Sequence, residues 1–128
     1  MTGYTIKSLK DVDDQAAKHG FSPDLEARFA REDLDCEQLG ISYQRLAPGV
    51  RQPFAHRHGK DEEIYIVLAG SGQVRLDDET ADIGPLDAVR VGPETVRGFA
   101  AGPEGLTLLA VGPHGSGDAS VEPAAWPN

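Results

Sequence analysis

Residues 56–70 read HRHGKDEEIYIVLAG, and this stretch decides both the fold class and the position of a site. Successive side chains of a strand point to opposite faces, so His56 and His58 lie on one side, about 7 Å apart along the chain. A turn follows, and residues 63–68 form the strongest predicted strand. Two imidazoles and the Glu63 carboxylate together suit Fe(II), Mn(II), Ni(II), Cu(II) or Zn(II). We therefore predict that these three side chains are ligands of one metal ion.

Turn-forming residues divide the rest of the chain into short segments. The 15 glycines and 9 prolines among 128 residues exceed the usual share of about 12% and are spread throughout. Residues 25–31 fit either a short helix or a strand, and no long helix is indicated. The sequence therefore predicts an all-β fold, a barrel or a sandwich. Further strands are expected at residues 41–46, 54–58, 73–76, 87–91, 95–99 and 106–111.

The strand at residues 63–68 is apolar on both faces beyond Glu63, so both faces require cover. One face can line a barrel interior, whereas the other needs the N-terminal segment or a second subunit. These two kinds of cover are equally compatible with the sequence. We expect a homodimer, with or without a contribution from the N-terminal segment. The side chains to be covered are Ile64, Ile66 and Leu68.

The spacing of Gly49, His56, His58, Glu63 and Gly70 resembles the first sequence motif of the cupin family. The resemblance implies an antiparallel jelly-roll β-barrel within one domain spanning residues 1–128. Its core barrel would cover about residues 40–112, after an N-terminal arm at 1–39 and before a C-terminal tail at 113–128. Among the hydrophobic residues, Val67, Val89, Val91 and Phe99 should then face the interior, and Trp126 should dock the tail.

The second cupin motif is poorly kept, and Arg97 stands where many cupins have a fourth, histidine ligand. A guanidinium has no lone pair to donate and stays charged, so Arg97 cannot bind a metal. In one interpretation it holds an anionic substrate beside a three-ligand metal site. In the other it forms an ion pair with Glu63 inside a metal-free barrel.

Other pocket candidates follow from the same alignment. Tyr65 and Tyr43 could present hydroxyl groups, and Phe99 shares the face of Arg97 and would form a wall. Gln44 would face the cavity only if Tyr43 does not. His114 follows the last predicted strand and is expected at the surface.

Composition limits the function classes. A net charge of −9 disfavours nucleic acid and anionic membranes as partners, and it makes a basic residue in a pocket informative about an anionic ligand. With the single cysteine Cys36 and no leader or apolar run, we expect a cytoplasmic protein without disulfides. The cupin resemblance implies a dioxygenase, decarboxylase or isomerase acting on a small, anionic molecule. A non-catalytic binding protein with a degenerate or metal-free site is the alternative.

Overall fold

A computed structural model describes residues 3–113, 119–124 and 126. Its strands pair antiparallel throughout and curl into a jelly-roll barrel, which confirms the predicted all-β fold. A short 3-10 turn, Leu9–Asp11, and helix α1, Gln15–Lys18, precede the barrel. The strands are β1 (Leu25–Phe29), β2 (Leu39–Leu46), β3 (Phe54–Arg57), β4 (Glu63–Leu76), β5 (Glu79–Ile83), β6 (Ala88–Val91), β7 (Arg97–Pro113) and β8 (Ser120–Pro123).

Two long strands, β4 and β7, join the two halves of the barrel. The first half of β4 pairs with β6 and the C-terminal half of β7, and the second half pairs with β5 and the N-terminal half of β7. The sequence predicts two separate strands in each case, but the breaks are irregularities within continuous strands. At Gly70 the backbone has φ +78°, and a Cβ atom would lie only 2.0 Å from the Gly105 carbonyl oxygen. Glycine therefore permits the close strand crossing at this bend.

The inner face of the sheet carries the hydrophobic core. Val67, Val91 and Phe99 are almost fully buried and Val89 packs against them, as predicted. The end of the barrel away from His56 is filled by aliphatic side chains, which leaves the polar groups at the opposite end. The residues in this filled end include Leu25, Leu46, Leu106 and Leu108.

The sheet extends beyond the predicted core at both ends of the chain. Residues 25–29 form strand β1, which pairs with β2, so the strand alternative for this segment is correct. In the predicted tail, β8 adds to β3, a pairing that the sequence did not indicate. Trp126 docks as expected, because its Nε1 donates a hydrogen bond to the backbone oxygen of Gln52 at 3.1 Å.

The outer face of β4 remains partly uncovered. Ile64 and Leu68 are 42% and 43% exposed, and the N-terminal arm packs further along the same face, where Lys10 lies over the Tyr43 ring. The arm therefore does not supply the cover for Ile64 and Leu68. Across the described residues, no helix has the length and apolar character needed to cross a membrane.

A buried carboxylate fastens the N-terminal arm to the barrel. Glu26 accepts hydrogen bonds from Arg28 at 2.6 Å and Arg45 at 2.9 Å, and Lys10 lies 3.6 Å away. Burial alone would raise the pKa of Glu26, but hydrogen bonds from Arg28 and Arg45 and the nearby positive charges lower it to about 2. The ionised form is therefore strongly favoured in the folded protein.

This shift predicts acid lability. Since the folded pKa is about 2 against an ordinary 4.5, the stabilisation is complete above pH 4.5 and is lost as the pH falls towards 2. The free energy of unfolding should decline by at most about 3 kcal/mol from this group. Urea denaturation of chelator-treated protein between pH 7 and 3 measures it. Glu26→Gln should make the pH profile shallower by this group's share, whereas the exposed Glu79→Gln should keep the wild-type slope; equal slopes in wild type and Glu26→Gln would refute this assignment.

Candidate metal centre

Strands β3 and β4 and the turn after β3 bring the predicted ligands together at one end of the barrel. His56 lies on β3 directly opposite Arg97 of β7, so both side chains point to the inner face. His58 follows the end of β3, where its backbone N–H donates a 2.7 Å hydrogen bond to the Pro93 oxygen. Glu63 is the first residue of β4 and shares the inner face with Tyr65.

The three side chains converge on one carboxylate oxygen. Glu63 Oε1 lies 3.1 Å from His58 Nε2 and 3.5 Å from His56 Nε2, and one ligand atom from each residue falls within 4.8 Å of the others. Adjacent ligands bonded at about 2.1 Å to one metal lie roughly 3.0–3.4 Å apart. The donor set and its spacing therefore fit a divalent transition metal.

Tyr65 holds the Glu63 carboxylate in position from inside the barrel. Its hydroxyl donates a 2.6 Å hydrogen bond to Glu63 Oε1 and lies 3.4 Å from His56 Nε2. The ring is 1% exposed and packs on Phe99, with centroids 4.8 Å apart. Burial and the neighbouring Glu63 charge raise the pKa of Tyr65, so its hydroxyl stays protonated and acts as a donor.

Arg97 approaches the same oxygen from β7. Its side chain is fully buried, Nη2 donates to the Gly92 oxygen at 2.7 Å, and Nη1 lies 3.5 Å from Glu63 Oε1. Nε and Nη1 have no hydrogen-bond partner. A buried cation with unsatisfied donors is costly, and the Glu63 carboxylate is the anion that lies beside it.

Glu63 is ionised in this environment. Burial is the largest influence and raises its pKa, but hydrogen bonding to His56 and Tyr65 and the histidine charges together lower it to about 2. The carboxylate therefore carries a negative charge at neutral pH, the form that binds metals or guanidinium groups.

The structure does not bring Tyr43 to this site. On β2, Ser42 lies opposite Ala110, which in turn lies opposite Tyr65, so Ser42 and Gln44 face inward and Tyr43 faces outward. The Tyr43 hydroxyl instead accepts a 3.2 Å hydrogen bond from Lys10. Sequence alternation left the choice between Tyr43 and Gln44 open because both neighbours of Tyr43 are polar, and strand register decides it.

The remaining candidates have simpler outcomes. Phe99 lies behind the Tyr65 ring and supports it from the core. His114 lies outside the described residues. The backbone oxygens of Gly92 and Pro93, which orient Arg97 and His58, were not predicted, because backbone contacts in a loop leave no residue-type signal.

The antiparallel barrel carries two histidines and a glutamate on its inner face, at one end. This combination defines a class of small β-barrel proteins with a metal-type site inside the barrel. The cupin domain family model matches residues 42–112, more than half of the chain. The chain belongs to the cupin family. No curated protein matches the sequence significantly.

Solved structures show the same fold. A cupin protein from Bacteroides fragilis is 24% identical with a TM-score of 0.72, covering 91% of this chain and 89% of its own. The polyketide cyclase RemF from Streptomyces resistomycificus is 20% identical with a TM-score of 0.75, covering 96% and 87%. A single-substitution variant of oxalate decarboxylase from Bacillus subtilis is 26% identical with a TM-score of 0.71, and the match covers 86% of this chain but 29% of that enzyme.

Proposed function

We propose that the protein binds one divalent transition metal through His56, His58 and Glu63 and holds a small carboxylate beside it with Arg97. The observation that carries this proposal is the fully buried Arg97, which retains hydrogen-bond donors without partners next to three metal-type ligands. Such a cation must be matched by an anion. Once Glu63 is bound to a metal, an anionic ligand is the natural partner.

The residues of the proposed site have separate roles. Three protein ligands leave coordination positions open for a substrate, and a metal there supplies a Lewis acid, or oxygen chemistry if it is iron. Arg97 can donate charge-assisted hydrogen bonds to a carboxylate from Nε or Nη1, the nitrogens without partners. Tyr65 orients Glu63 through its 2.6 Å hydrogen bond and keeps the carboxylate aimed at the histidines.

Decarboxylation, dioxygenation or isomerisation of a small organic acid is the reaction class that we assign to this site. Support comes from the three-ligand arrangement and from the oxalate decarboxylase among the structural neighbours, of whose chain the match covers 29%. Fold likeness alone does not transfer an activity, so the assignment rests on the site.

A non-catalytic binding protein is the second candidate. The contact that favours it is the 3.5 Å approach of Arg97 Nη1 to Glu63 Oε1, which lets the guanidinium stand in for a metal cation. A barrel that this internal ion pair stabilises needs no metal ion to balance the Glu63 charge, and it needs no catalytic activity.

Metal binding is tested by replacing both imidazoles. We expect one equivalent of Mn(II) or Zn(II) per chain, and the combined His56→Ala and His58→Ala variant should lose more than ~100-fold in affinity, beyond the effect of an outer-sphere change. Calorimetry and elemental analysis measure affinity and stoichiometry. His19→Ala, an exposed residue next to α1, is the control. Unchanged stoichiometry in the double variant would contradict the site.

Anion binding is tested at Arg97. Small carboxylates should bind the metal-loaded protein with millimolar or tighter affinity, and Arg97→Gln should weaken binding by about 1.5–3 kcal/mol, as for a hydrogen bond to a charged group. Calorimetry across a panel of carboxylates and phosphates gives the result. Arg51→Gln is the control, since Arg51 lies over the Trp126 ring and is exposed.

The outcome separates the two candidates. If wild-type protein binds no carboxylate or phosphate with or without metal, the anion site is refuted and the Arg97–Glu63 ion pair is the better account. Metal content and urea denaturation of Arg97→Gln show whether any loss of binding reflects loss of the fold.

We further propose that one domain comprising residues 1–128 forms a homodimer through the outer face of β4. Ile64 and Leu68 are each more than two-fifths exposed there, flanked by the exposed Arg90–Glu62 ion pair. Apolar side chains rimmed by charges are typical of an interface.

Light scattering should therefore give twice the mass of one chain. Ile64→Glu should shift the protein to monomers, because a charge in an apolar interface is desolvated without a partner. Thr80→Glu, on β5 in the other half of the sheet, should remain dimeric. A wild-type monomer at every concentration would reject this assembly.

A further inference from the structure

The chain just before β3 is held against β7 by the side chain of Gln52. Its backbone N–H donates to the Phe99 oxygen at 2.9 Å, and its side-chain Oε1 accepts from the Phe99 N–H, also at 2.9 Å. We call these two hydrogen bonds the Gln52 clasp. Next to it, Arg51 and Ala100 form an isolated bridge. In the clasp, a side-chain oxygen takes the place of the backbone carbonyl that a regularly paired strand would supply.

The clasp is needed because the chain leading into β3 does not match β7 residue for residue. Arg97 and Phe99 are two positions apart on β7, whereas their partners, His56 and Gln52, are four positions apart. Residues 53–55 therefore stand where a regular antiparallel ladder would have one residue, and this segment bows away from β7. Regular strand pairing consequently does not fix the position at which β3 begins.

The other supports of β3 are limited. Among the described residues, β3 pairs with β7 only at His56 and Arg97. Its second edge pairs with β8, a four-residue edge strand whose side chains are all exposed. A short strand that buries no side chain is a weak support for its neighbour. The Gln52 clasp therefore matters for the distance between the His56 backbone and the rest of the barrel.

Phe99 connects the same clasp to a second ligand residue. Its side chain packs on the Tyr65 ring, with centroids 4.8 Å apart, and the Tyr65 hydroxyl donates to Glu63 Oε1 at 2.6 Å. Because Phe99 is 1% exposed, its N–H would lose its partner in a buried position if Gln52 Oε1 were removed. An unpartnered buried N–H is costly, so the backbone of β7 or of the bowed segment would shift to satisfy it.

We infer that Gln52 is a positioning residue of the proposed metal site, whose side-chain oxygen holds β3 against β7 and so keeps His56 within reach of Glu63. This role rests on the proposed metal binding by His56, His58 and Glu63. His56 Nε2 lies 3.5 Å from Glu63 Oε1, slightly beyond the roughly 3.0–3.4 Å that separates two ligands of one metal. A small outward shift of β3 would therefore take His56 out of range.

Zinc calorimetry and the absorption spectrum of bound Co(II) test this role. Gln52→Met keeps the length of the side chain but removes the acceptor oxygen. It should bind zinc about tenfold more weakly, the lower end of the effect of a group outside the ligand set. The d–d bands of Co(II) should change as well, because they depend on ligand geometry. Gln52→Glu, which supplies an acceptor oxygen again, should restore the wild-type spectrum and at least the wild-type zinc affinity.

Loss of stability is separated from loss of positioning by a control in another part of the barrel. Glu26→Gln removes the carboxylate that fastens the N-terminal arm, so it should lower the free energy of unfolding in urea but leave zinc affinity and the Co(II) spectrum unchanged. If Gln52→Met does not fold, Gln52→Asn replaces it, because its amide is one methylene too short to reach the Phe99 N–H. The same loss of zinc affinity is expected from it.

The outcomes distinguish the positioning role from the metal site itself. If the wild-type protein binds neither zinc nor Co(II), the proposed metal site fails, and the role of Gln52 fails with it. If the wild type binds both metals and the variant without the acceptor oxygen keeps the same affinity and spectrum, the positioning role is overturned while the metal site stands. An equal loss in Gln52→Glu would show that packing, and not the acceptor oxygen, is responsible, and it would also overturn the role.

Discussion

The ionised Glu63 inside the barrel is the interaction on which the site depends. Its Oε1 atom is approached by His56, His58, Tyr65 and Arg97, at distances between 2.6 and 3.5 Å. A buried carboxylate needs this compensation, because its transfer out of water is costly without donors or cations. Arg97 in turn depends on Glu63, since its buried charge has no other carboxylate among its contacts within the described residues. The polar side chains at this end of the barrel are therefore held together by their shared contacts with Glu63 Oε1.

A metal ion bound as proposed would compete with the Arg97 guanidinium for that oxygen. In the structure the two imidazoles and Arg97 surround Glu63. This arrangement is expected when the protein's own guanidinium group provides the positive charge beside the carboxylate. A divalent metal at the histidines would draw on the same carboxylate and leave the Arg97 donors free to bind an incoming anion. With arginine where the cupin motif has a fourth, histidine ligand, a metal bound as proposed would leave the site to balance the charges of metal, protein and ligand.

The two long strands, β4 and β7, position the side chains that surround Glu63. β4 carries Glu63 and Tyr65 in one half of the barrel, and β7 carries Arg97 in the other half and Gly112 in the first. Because both strands bend through glycine-rich irregularities instead of ending, the halves are fixed relative to each other. The same continuity places Gly112 and Ala110 of β7 next to Glu63 and Tyr65 of β4. A small residue at Gly112 serves strand packing, because a Cβ atom there would lie 2.8 Å from the Glu62 oxygen.

Local pattern in the sequence was sufficient for the fold class, the alternation on β4 and the three side chains that converge, His56, His58 and Glu63. His-x-His places two imidazoles on one face in any strand, and the turn and apolar strand that follow carry Glu63 back to them. Arg97 could likewise be placed by its motif position. These inferences succeed because they depend on side-chain alternation and on turn residues, which act over a few residues.

Only the tertiary structure decided the remaining features. Whether Tyr43 or Gln44 faces inward depends on which residues of β7 pair with β2, and register is set by the whole sheet. The pairing of β8 with β3 joins segments far apart in the sequence, and it places Val121 beside His56. The pairing of Gly40 with Gly112 also exists only when separate strands lie side by side. Long-range pairing of this kind has no local signature, because the hydrogen bonds that define it are made by backbone groups common to every residue.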